Sequence, residues 1–141
     1  HGFPNLFMPS GPQSGSASTN FPRGIESGVN WCTDLLQYMW QHNLTRAEPT
    51  ADAEQRWTAH VVQMYSVMLM RKAKSWFTGY NSNVEGHEAG KVRYFVYNGG
   101  APKYNATINE VASKGYEGIQ FGPPSRPALG SASAGVGRAA S

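Results

Sequence analysis

A turn of small residues stands directly before the longest amphipathic pattern in this chain. Segment 10–20 reads SGPQSGSASTN, and it follows the short apolar run Leu6–Pro9. The run predicts a buried strand, and the pattern after the turn predicts a helix over about 21–42. Strand, turn and helix N-terminus together are a common cradle for a cofactor or an anion, because free N–H groups and the positive end of the helix dipole converge there. An ordinary connection between a strand and a helix fits the same residues equally well.

The first predicted helix carries apolar residues at steps of three and four positions. These residues are Ile25, Val29, Cys32, Leu36 and Met39, and Trp31, Leu35 and Trp40 widen the stripe. Asn20 or Thr19 is the predicted N-cap, and Pro22 is tolerated in the first turn, where N–H groups have no partner inside the helix. The stripe predicts the buried face of the helix, with Cys32 as a core residue rather than a reactive thiol.

A second helix is predicted after Pro49 from the order of its charges. Asp52 and Glu54 fall in the first turn, where acidic side chains favour the helix dipole. The basic residues expected in its last turn are Arg71, Lys72 and Lys74. The residues expected on its inner face are Trp57, Val61, Met64 and Met68, with Tyr65 and Leu69 as further candidates.

Shorter elements are predicted beyond the second helix. In chain order they are a polar loop at 78–87, a strand at 92–97, a turn at 99–100, a short helix at 104–112 ended by Gly115, and a strand at 118–121. From Gly122 onward the sequence is mostly Pro, Ser, Ala and Gly, with little to bury. Segment 122–141 is therefore predicted to be disordered.

Composition and motif spacing exclude several kinds of site. One cysteine in 141 residues allows no internal disulfide framework and no cysteine zinc site, and it suits a reducing compartment such as the cytoplasm. The formal charge of +3 comes without a Lys/Arg block, so we expect no nucleic-acid partner. No apolar run approaches the ~20 residues of a membrane span. The four histidines show no metal-ligand spacing, and no nucleophile elbow occurs, so we expect neither a metal nor a catalytic residue within this chain.

A tryptophan meets a polar loop in the segment SWFTGYN at 75–81. Trp76 offers a broad apolar face and one N–H donor, which suit stacking on or bonding to a cofactor. The alternative is a core anchor that closes the second helix. A third cluster, in which aromatic residues meet Gly99 and Gly100, favours a structural role.

Several of these segments resemble the Baeyer–Villiger monooxygenases in order and spacing. The segments that carry the resemblance are GFPNLF at 2–7, GP at 11–12, IE at 25–26, Trp31, LTR at 44–46, Trp57, SWFTG at 75–79, YNGG at 97–100 and ASKGYEG at 112–118. They cover nearly all of the chain before residue 122. The glycine-rich dinucleotide fingerprints of that family are absent from this sequence.

The resemblance implies an α/β fold, of which this chain is a C-terminal fragment, mainly helical with a few short strands. The complete enzyme would hold two dinucleotide-binding domains. Residues 1–42 would then end the FAD-binding domain, and 43–121 would pack near the NADP side. The implied activity is FAD- and NADPH-dependent insertion of one oxygen atom of O2 next to a ketone carbonyl, which gives an ester or a lactone.

The resemblance also assigns roles to particular residues. Asn20 and Phe21 would contact FAD, and Trp76 would contact NADP. The loop implied to border the substrate pocket contributes Gln13, Ser14, Ser16, Ala17, Ser18 and Thr19. The implied partners are a small ketone, O2 and the remaining part of the same enzyme.

Two other functions are compatible with the sequence. An N-oxidising or S-oxidising flavin monooxygenase would share the fold and the cofactors. A non-catalytic helical interaction module would instead use the methionine-rich surface at 64–70.

Overall fold

The structure of the chain is a computed structural model, and it describes residues 1–15, 20–86 and 96–123. Three helices and two strands form its regular frame. They are α1 (Phe21–Gln41), β1 (Arg46–Pro49), α2 (Ala51–Ser66), α3 (Ala101–Ser113) and β2 (Ile119–Gly122). Two 3-10 helices, Leu69–Lys72 and Trp76–Thr78, follow α2. No helix in these three ranges is long and apolar enough to cross a membrane.

Helix α1 begins where the sequence predicts. The Asn20 side chain accepts a hydrogen bond from the Arg23 N–H at 3.4 Å, and proline occupies the first turn. At the other end, the His42 N–H donates to the Tyr38 carbonyl at 3.1 Å, and Asn43 then takes a left-handed φ of 53°. Asparagine tolerates this conformation better than most residues, so it can reverse the chain here.

Strands β1 and β2 form an antiparallel pair that joins distant parts of the chain. Their register places Ala47 opposite Phe121 and Glu48 opposite Gln120. The Thr50 N–H extends the pairing by donating to the Gly118 carbonyl at 2.8 Å. Strand β2 confirms the predicted final strand. Strand β1 was not predicted, because its sequence RAEP carries charges and a proline instead of alternating apolar residues.

The hydrophobic core collects around this strand pair. Leu35 and Met39 of α1 are buried against Ala47 of β1 and Tyr116, which precedes β2. The side chains packed around them are Phe7, Trp31, Tyr38, Leu44, Ala112, Ile119 and Phe121. The Trp31 Nε1–H donates to the Ile108 carbonyl at 2.8 Å and thereby ties α1 to α3.

A second, aromatic cluster lies between α2 and α3. Trp57 stacks on Tyr97 with 5.3 Å between ring centroids and 9° between ring planes. Tyr104 meets both of these rings, at 6.0 and 5.4 Å. Tyr97 is fully buried, and the bare Cα of Gly99 lets its hydroxyl approach closely. We call Trp57, Tyr97 and Tyr104 the aromatic cluster.

The predicted strand Leu6–Pro9 is wrong for the structure described here. Leu6 is 57% exposed, Met8 is 60% exposed, and neither belongs to a strand. A strand needs a hydrogen-bonded neighbour. In the described ranges, the backbone hydrogen bond to β1 is made by the residue before this run: the Asn5 N–H donates to the Ala47 carbonyl at 2.9 Å.

The predicted apolar stripe of α1 is only partly buried. Leu35 and Met39 are in the core, but Val29 and Leu36 are exposed and Trp40 is 83% exposed. Periodicity identifies an apolar stripe, but it cannot show whether this chain supplies enough neighbours to cover it.

Helix α2 starts at the predicted position and ends earlier than predicted. The Thr50 side chain caps it by accepting from the Ala53 N–H at 3.1 Å, and Asp52 and Glu54 occupy the first turn. Val61 and Tyr65 are buried as expected, whereas Leu69 is 84% exposed. Because the helix ends at Ser66, the predicted basic last turn is wrong: Arg71, Lys72 and Lys74 lie beyond it.

The remaining predictions have mixed outcomes. Helix α3 confirms the predicted short helix, and Gly115 follows it with a left-handed φ of 70°. Most of the predicted strand at 92–97 lies outside the described residues, and the described Val96 and Tyr97 belong to no strand. Residues 124–141 of the predicted disordered segment also lie outside the described ranges.

Glu48 is a buried carboxylate that ties the strand pair to the start of the chain. Arg46 donates to its Oε2 at 2.6 Å, and the Gly2 N–H donates to its Oε1 at 2.5 Å. These hydrogen bonds, with the positive charge of Arg46, hold the pKa of Glu48 below its usual value. Ionisation of the Glu48 carboxyl therefore stabilises the folded state.

We expect Glu48→Gln to lower the unfolding temperature at pH 7. Because the pKa of Glu48 is lowered by folding, its contribution is complete above the unfolded value of about 4.3 and is lost as pH falls through the lower folded value. Thermal unfolding of both proteins between pH 7 and pH 3 should show a difference that shrinks with acid. Glu26→Gln, at an exposed position of α1, is the control. A difference that stays constant with pH would contradict this assignment.

Candidate functional site

The described part of the predicted pocket loop is a series of tight turns. The Gly11 N–H donates to the Met8 carbonyl at 3.0 Å, and the Ser14 N–H donates to the Gly11 carbonyl at 3.2 Å. Gln13 takes a left-handed φ of 63° between them. Of the six predicted pocket residues, the structure describes Gln13 and Ser14. The other four, Ser16, Ala17, Ser18 and Thr19, lie outside the described residues.

The loop is held from the opposite side by residues distant in the chain. The Tyr97 N–H donates to the Ser14 carbonyl at 3.4 Å. Gly15 is buried against the Tyr104 ring, where an added Cβ would lie 2.6 Å from ring carbons. These contacts link the loop to the aromatic cluster. The sequence alone indicated no site role for Gly15, Tyr97 or Tyr104. The closely spaced glycines and aromatic residues at 97–104 were the available signal.

The start of α1 presents the two predicted flavin contacts on the surface. Asn20 is exposed, and Phe21 is 54% exposed. Asn20 caps the helix with its side chain, so the first turn is ordered while one side of it remains open. A helix N-terminus favours negative charge nearby. The first turn is therefore open to a group that carries negative charge.

The segment before the loop passes α1 at very short range, where Pro9 lies against Gly28. A Cβ on Gly28 would lie 2.4 Å from the Pro9 carbonyl oxygen, so only glycine permits this crossing. Beside the crossing is a mainly apolar cavity of about 300 Å³, whose lining includes Phe7, Trp31 and Ile108. Cys32 also lines it, and burial raises the pKa of its thiol. That direction favours the neutral thiol and supports Cys32 as a packing residue.

Trp76 is presented on a short, well-braced turn. The Ser75 side chain accepts from the Phe77 N–H at 3.3 Å, and Gly79 ends the turn with a left-handed φ of 78°. Phe77 stacks on the Trp76 ring at 3.9 Å, yet Trp76 remains 67% exposed. This exposure does not fit the core-anchor alternative, because the buried residue of the turn is Thr78. Trp76 is therefore open to contact from outside this chain, by a ligand or by the rest of the protein.

The structure groups some of the predicted site residues and separates others. Gln13 and Ser14 lie in the described turns that end at Gly15, and Asn20 and Phe21 lie at the start of α1. In the described part of the chain, Trp76 makes no hydrogen bond or ring contact with them, and its stacking partner is Phe77. Metal-binding groups of three or more acidic, histidine or cysteine residues are absent from the same part.

Comparison with known proteins places this geometry in a class. No protein-family model matches the chain. The chain is 38% identical to the phenazine N-monooxygenase of Lysobacter antibioticus over 118 residues. This match covers 84% of this chain and 20% of the relative. Over 119 residues the chain is 34% identical to the cyclohexanone 1,2-monooxygenase of an Acinetobacter species, again covering 84% of this chain and 21% of the relative.

Solved structures agree with these relatives. Cyclohexanone monooxygenase from Rhodococcus sp. Phi1, bound to NADP+, matches with a TM-score of 0.76 and 31% identity over 86% of this chain and 22% of its own. OTEMO in complex with FAD and NADP matches with a TM-score of 0.73 and 30% identity over 86% of this chain and 21% of its own.

The fold is thus a mainly helical part of a flavin monooxygenase. The homologues of this chain are the Baeyer–Villiger and related flavin monooxygenases, and the chain spans about a fifth of the length of the relatives it matches.

We expect Trp76→Ala to change the free energy of unfolding by less than about 0.5 kcal/mol, because an exposed side chain contributes little to packing. Trp57→Ala is the matched control, and it should cost about 2 kcal/mol or more by removing a stacked ring of the aromatic cluster. Denaturant unfolding of both variants measures the difference. Equal losses would show that Trp76 is a packing residue.

Proposed function

We propose that this chain is part of an FAD- and NADPH-dependent monooxygenase that inserts one oxygen atom of O2 next to a ketone carbonyl, giving an ester or a lactone. The observation that carries the proposal is the fold match to cyclohexanone monooxygenase bound to NADP+, which extends over 86% of this chain. The exposed turn of Trp76 and the open first turn of α1 support it. The single cysteine fits a cytoplasmic location for the enzyme.

The described residues fit contact with both cofactors without enclosing either of them. When bound, the flavin would activate O2 with electrons that NADPH supplies. The first turn of α1, with Asn20 and Phe21, would face the flavin and favour negative charge on it. Trp76 would offer its free ring face and its Nε1–H to NADP. The loop with Gln13 and Ser14 would shape the wall against which the ketone lies.

The chain's own contribution is therefore positioning. None of the residues named here is assigned a proton transfer or a covalent step. The remaining part of the enzyme would hold the pyrophosphate and adenosine ends of both cofactors, because this sequence has no glycine-rich fingerprint for them.

A second candidate is oxidation at nitrogen. It is favoured by one observation: the phenazine N-monooxygenase of Lysobacter antibioticus is 38% identical to this chain, compared with 34% for the cyclohexanone enzyme. Both candidates would use the same cofactors, so the described residues favour neither. A non-catalytic interaction module is disfavoured, because the proteins that match most of this chain are named as enzymes.

The test is product analysis with the full-length protein, loaded with FAD and supplied with NADPH and O2. We expect a cyclic ketone such as cyclohexanone to give its lactone with incorporation of one ¹⁸O atom from ¹⁸O2. An aromatic N-heterocycle offered in parallel should remain unchanged. An N-oxide with no lactone would replace the first proposal with the second, and neither product would contradict both.

For the same enzyme, we expect Trp76→Ala to weaken NADPH binding and to raise the fraction of NADPH oxidised to hydrogen peroxide. Loss of one good contact is worth about 1–3 kcal/mol, or about 5- to 150-fold in affinity. NADPH affinity and peroxide release are the measurements, and Trp40→Ala, at an exposed tryptophan of α1, is the control. The NADP assignment would fail if the two variants behaved alike.

A further inference from the structure

The contact between Gly15 and Tyr104 joins the loop to a helix far along the chain. An added Cβ on Gly15 would lie 2.6 Å from both Cγ and Cδ1 of Tyr104 and 3.0 Å from its Cβ. Atoms this close to the helix backbone cannot swing away as the end of a flexible side chain would. Gly15 is therefore kept free of a side chain by the ring, and the loop backbone lies directly against that ring.

Tyr104 is itself held in place. Its ring meets Tyr97 and Trp57 in the aromatic cluster. Burial raises the pKa of its hydroxyl and the nearby Cys32 adds to this, while a hydrogen bond with the Gly15 backbone acts in the opposite direction. Helix α3 is fixed to α1 by the bond from Trp31 and by Ser27, whose hydroxyl donates to the Asn105 side chain at 3.0 Å. The ring therefore presents a rigid surface to the loop.

A second contact acts on the neighbouring residue. The Tyr97 N–H donates to the Ser14 carbonyl, and Tyr97 is fixed by stacking on Trp57 and by its close approach to Gly99. Ser14 and Gly15 are thus held by two adjacent members of one cluster. These two residues lead directly into the remainder of the predicted pocket loop.

We propose that Tyr104 is a positioning residue that sets, through Gly15, the position of the described part of the substrate loop, 13–15, and thereby which ketones fit. This inference rests on the proposed function, since it concerns the specificity of that same site. Tyr104 acts on the substrate only through the loop backbone. Tyr97 contributes the second anchor at Ser14.

The inference predicts compensation between two substitutions. Gly15→Ala should push the loop away from the ring, and Tyr104→Ala should make room for the new methyl group. In the full-length enzyme, Gly15→Ala should lower kcat/KM about 10-fold or more for one of two ketones of different size, because a methylene-scale change in a pocket has effects of this order. The double variant should restore the ratio of the two kcat/KM values to within about 3-fold of the unsubstituted enzyme.

Tyr38→Ala is the matched control, because Tyr38 packs on Tyr116 and Phe121 in the other core. Tyr38→Ala should lower the unfolding temperature. Combined with Gly15→Ala, it should not restore the ratio of the two kcat/KM values. Tyr104→Phe keeps the ring but removes the hydroxyl that hydrogen-bonds with the Gly15 backbone, so it should change the ratio less than Gly15→Ala does. The proposal is overturned if Gly15→Ala lowers kcat/KM equally for both ketones, or if Tyr38→Ala restores the ratio as well as Tyr104→Ala does.

Amide hydrogen exchange of the peptide containing Gly15 separates this inference from the proposed function. We expect faster exchange in Gly15→Ala and a return toward the original rate in the double variant, with or without turnover of a ketone. If no ketone is oxidised but exchange shows this compensation, the proposed function fails and Tyr104 still positions the loop. Unchanged exchange in Gly15→Ala overturns the positioning role alone.

Discussion

The antiparallel pairing of β1 with β2 is the constraint on which the described structure depends. Only four residues form each strand, yet the pair joins the segment after α1 to the segment after α3. The pairing places Ala47 beside Leu35, Met39 and Tyr116, and so it creates the core that α1 and β1 share with the segment before β2. The hydrogen bonds from Trp31 and Ser27 of α1 to α3 add to this constraint, and together they keep α3, which carries Tyr104, close to the loop that precedes α1.

Both proposed contact surfaces are exposed features on a braced backbone. Asn20 caps the helix that carries Phe21, and Ser75 caps the turn that carries Trp76. Caps satisfy backbone donors locally, so the chain can present a large side chain to the surface without losing order around it. The exposed apolar residues of α1 fit the same account, because a chain that spans about a fifth of its relatives cannot itself cover every apolar face.

Local signals explain most of what the sequence predicts correctly. The spacing of apolar residues, the caps Asn20 and Thr50, and Gly115 after α3 locate the helices, because each signal acts within a few residues. Strand β1 escapes prediction since its pairing, rather than its own composition, makes it a strand. The run Leu6–Pro9 fails for the opposite reason: its residues suit a strand, but no described neighbour pairs with it.

In the candidate site, too, local features could be predicted from the sequence and a contact between distant residues could not. The small-residue turn and Trp76 are visible in the sequence because their chemistry is local. The burial of Gly15 under Tyr104 is not, because a sequence shows neither which ring approaches a glycine nor from which side. The roles of Asn20, Phe21, Trp76 and the loop in binding remain proposals, as does the division of the chain at residue 42.

The reduction potential of the bound flavin in full-length Asn20→Asp tests most directly the claim that the start of α1 faces FAD. Aspartate is also a good N-cap, so the helix should remain intact while one negative charge is added beside the proposed flavin site. We expect the potential to fall by about 10 to 40 mV, the equivalent of about 0.5–2 kcal/mol for two electrons, because the added charge opposes negative charge on the reduced ring. Thr50→Asp makes the same change at the cap of α2 and should leave the potential unchanged. Equal potentials in Asn20→Asp and the unsubstituted enzyme would contradict the account.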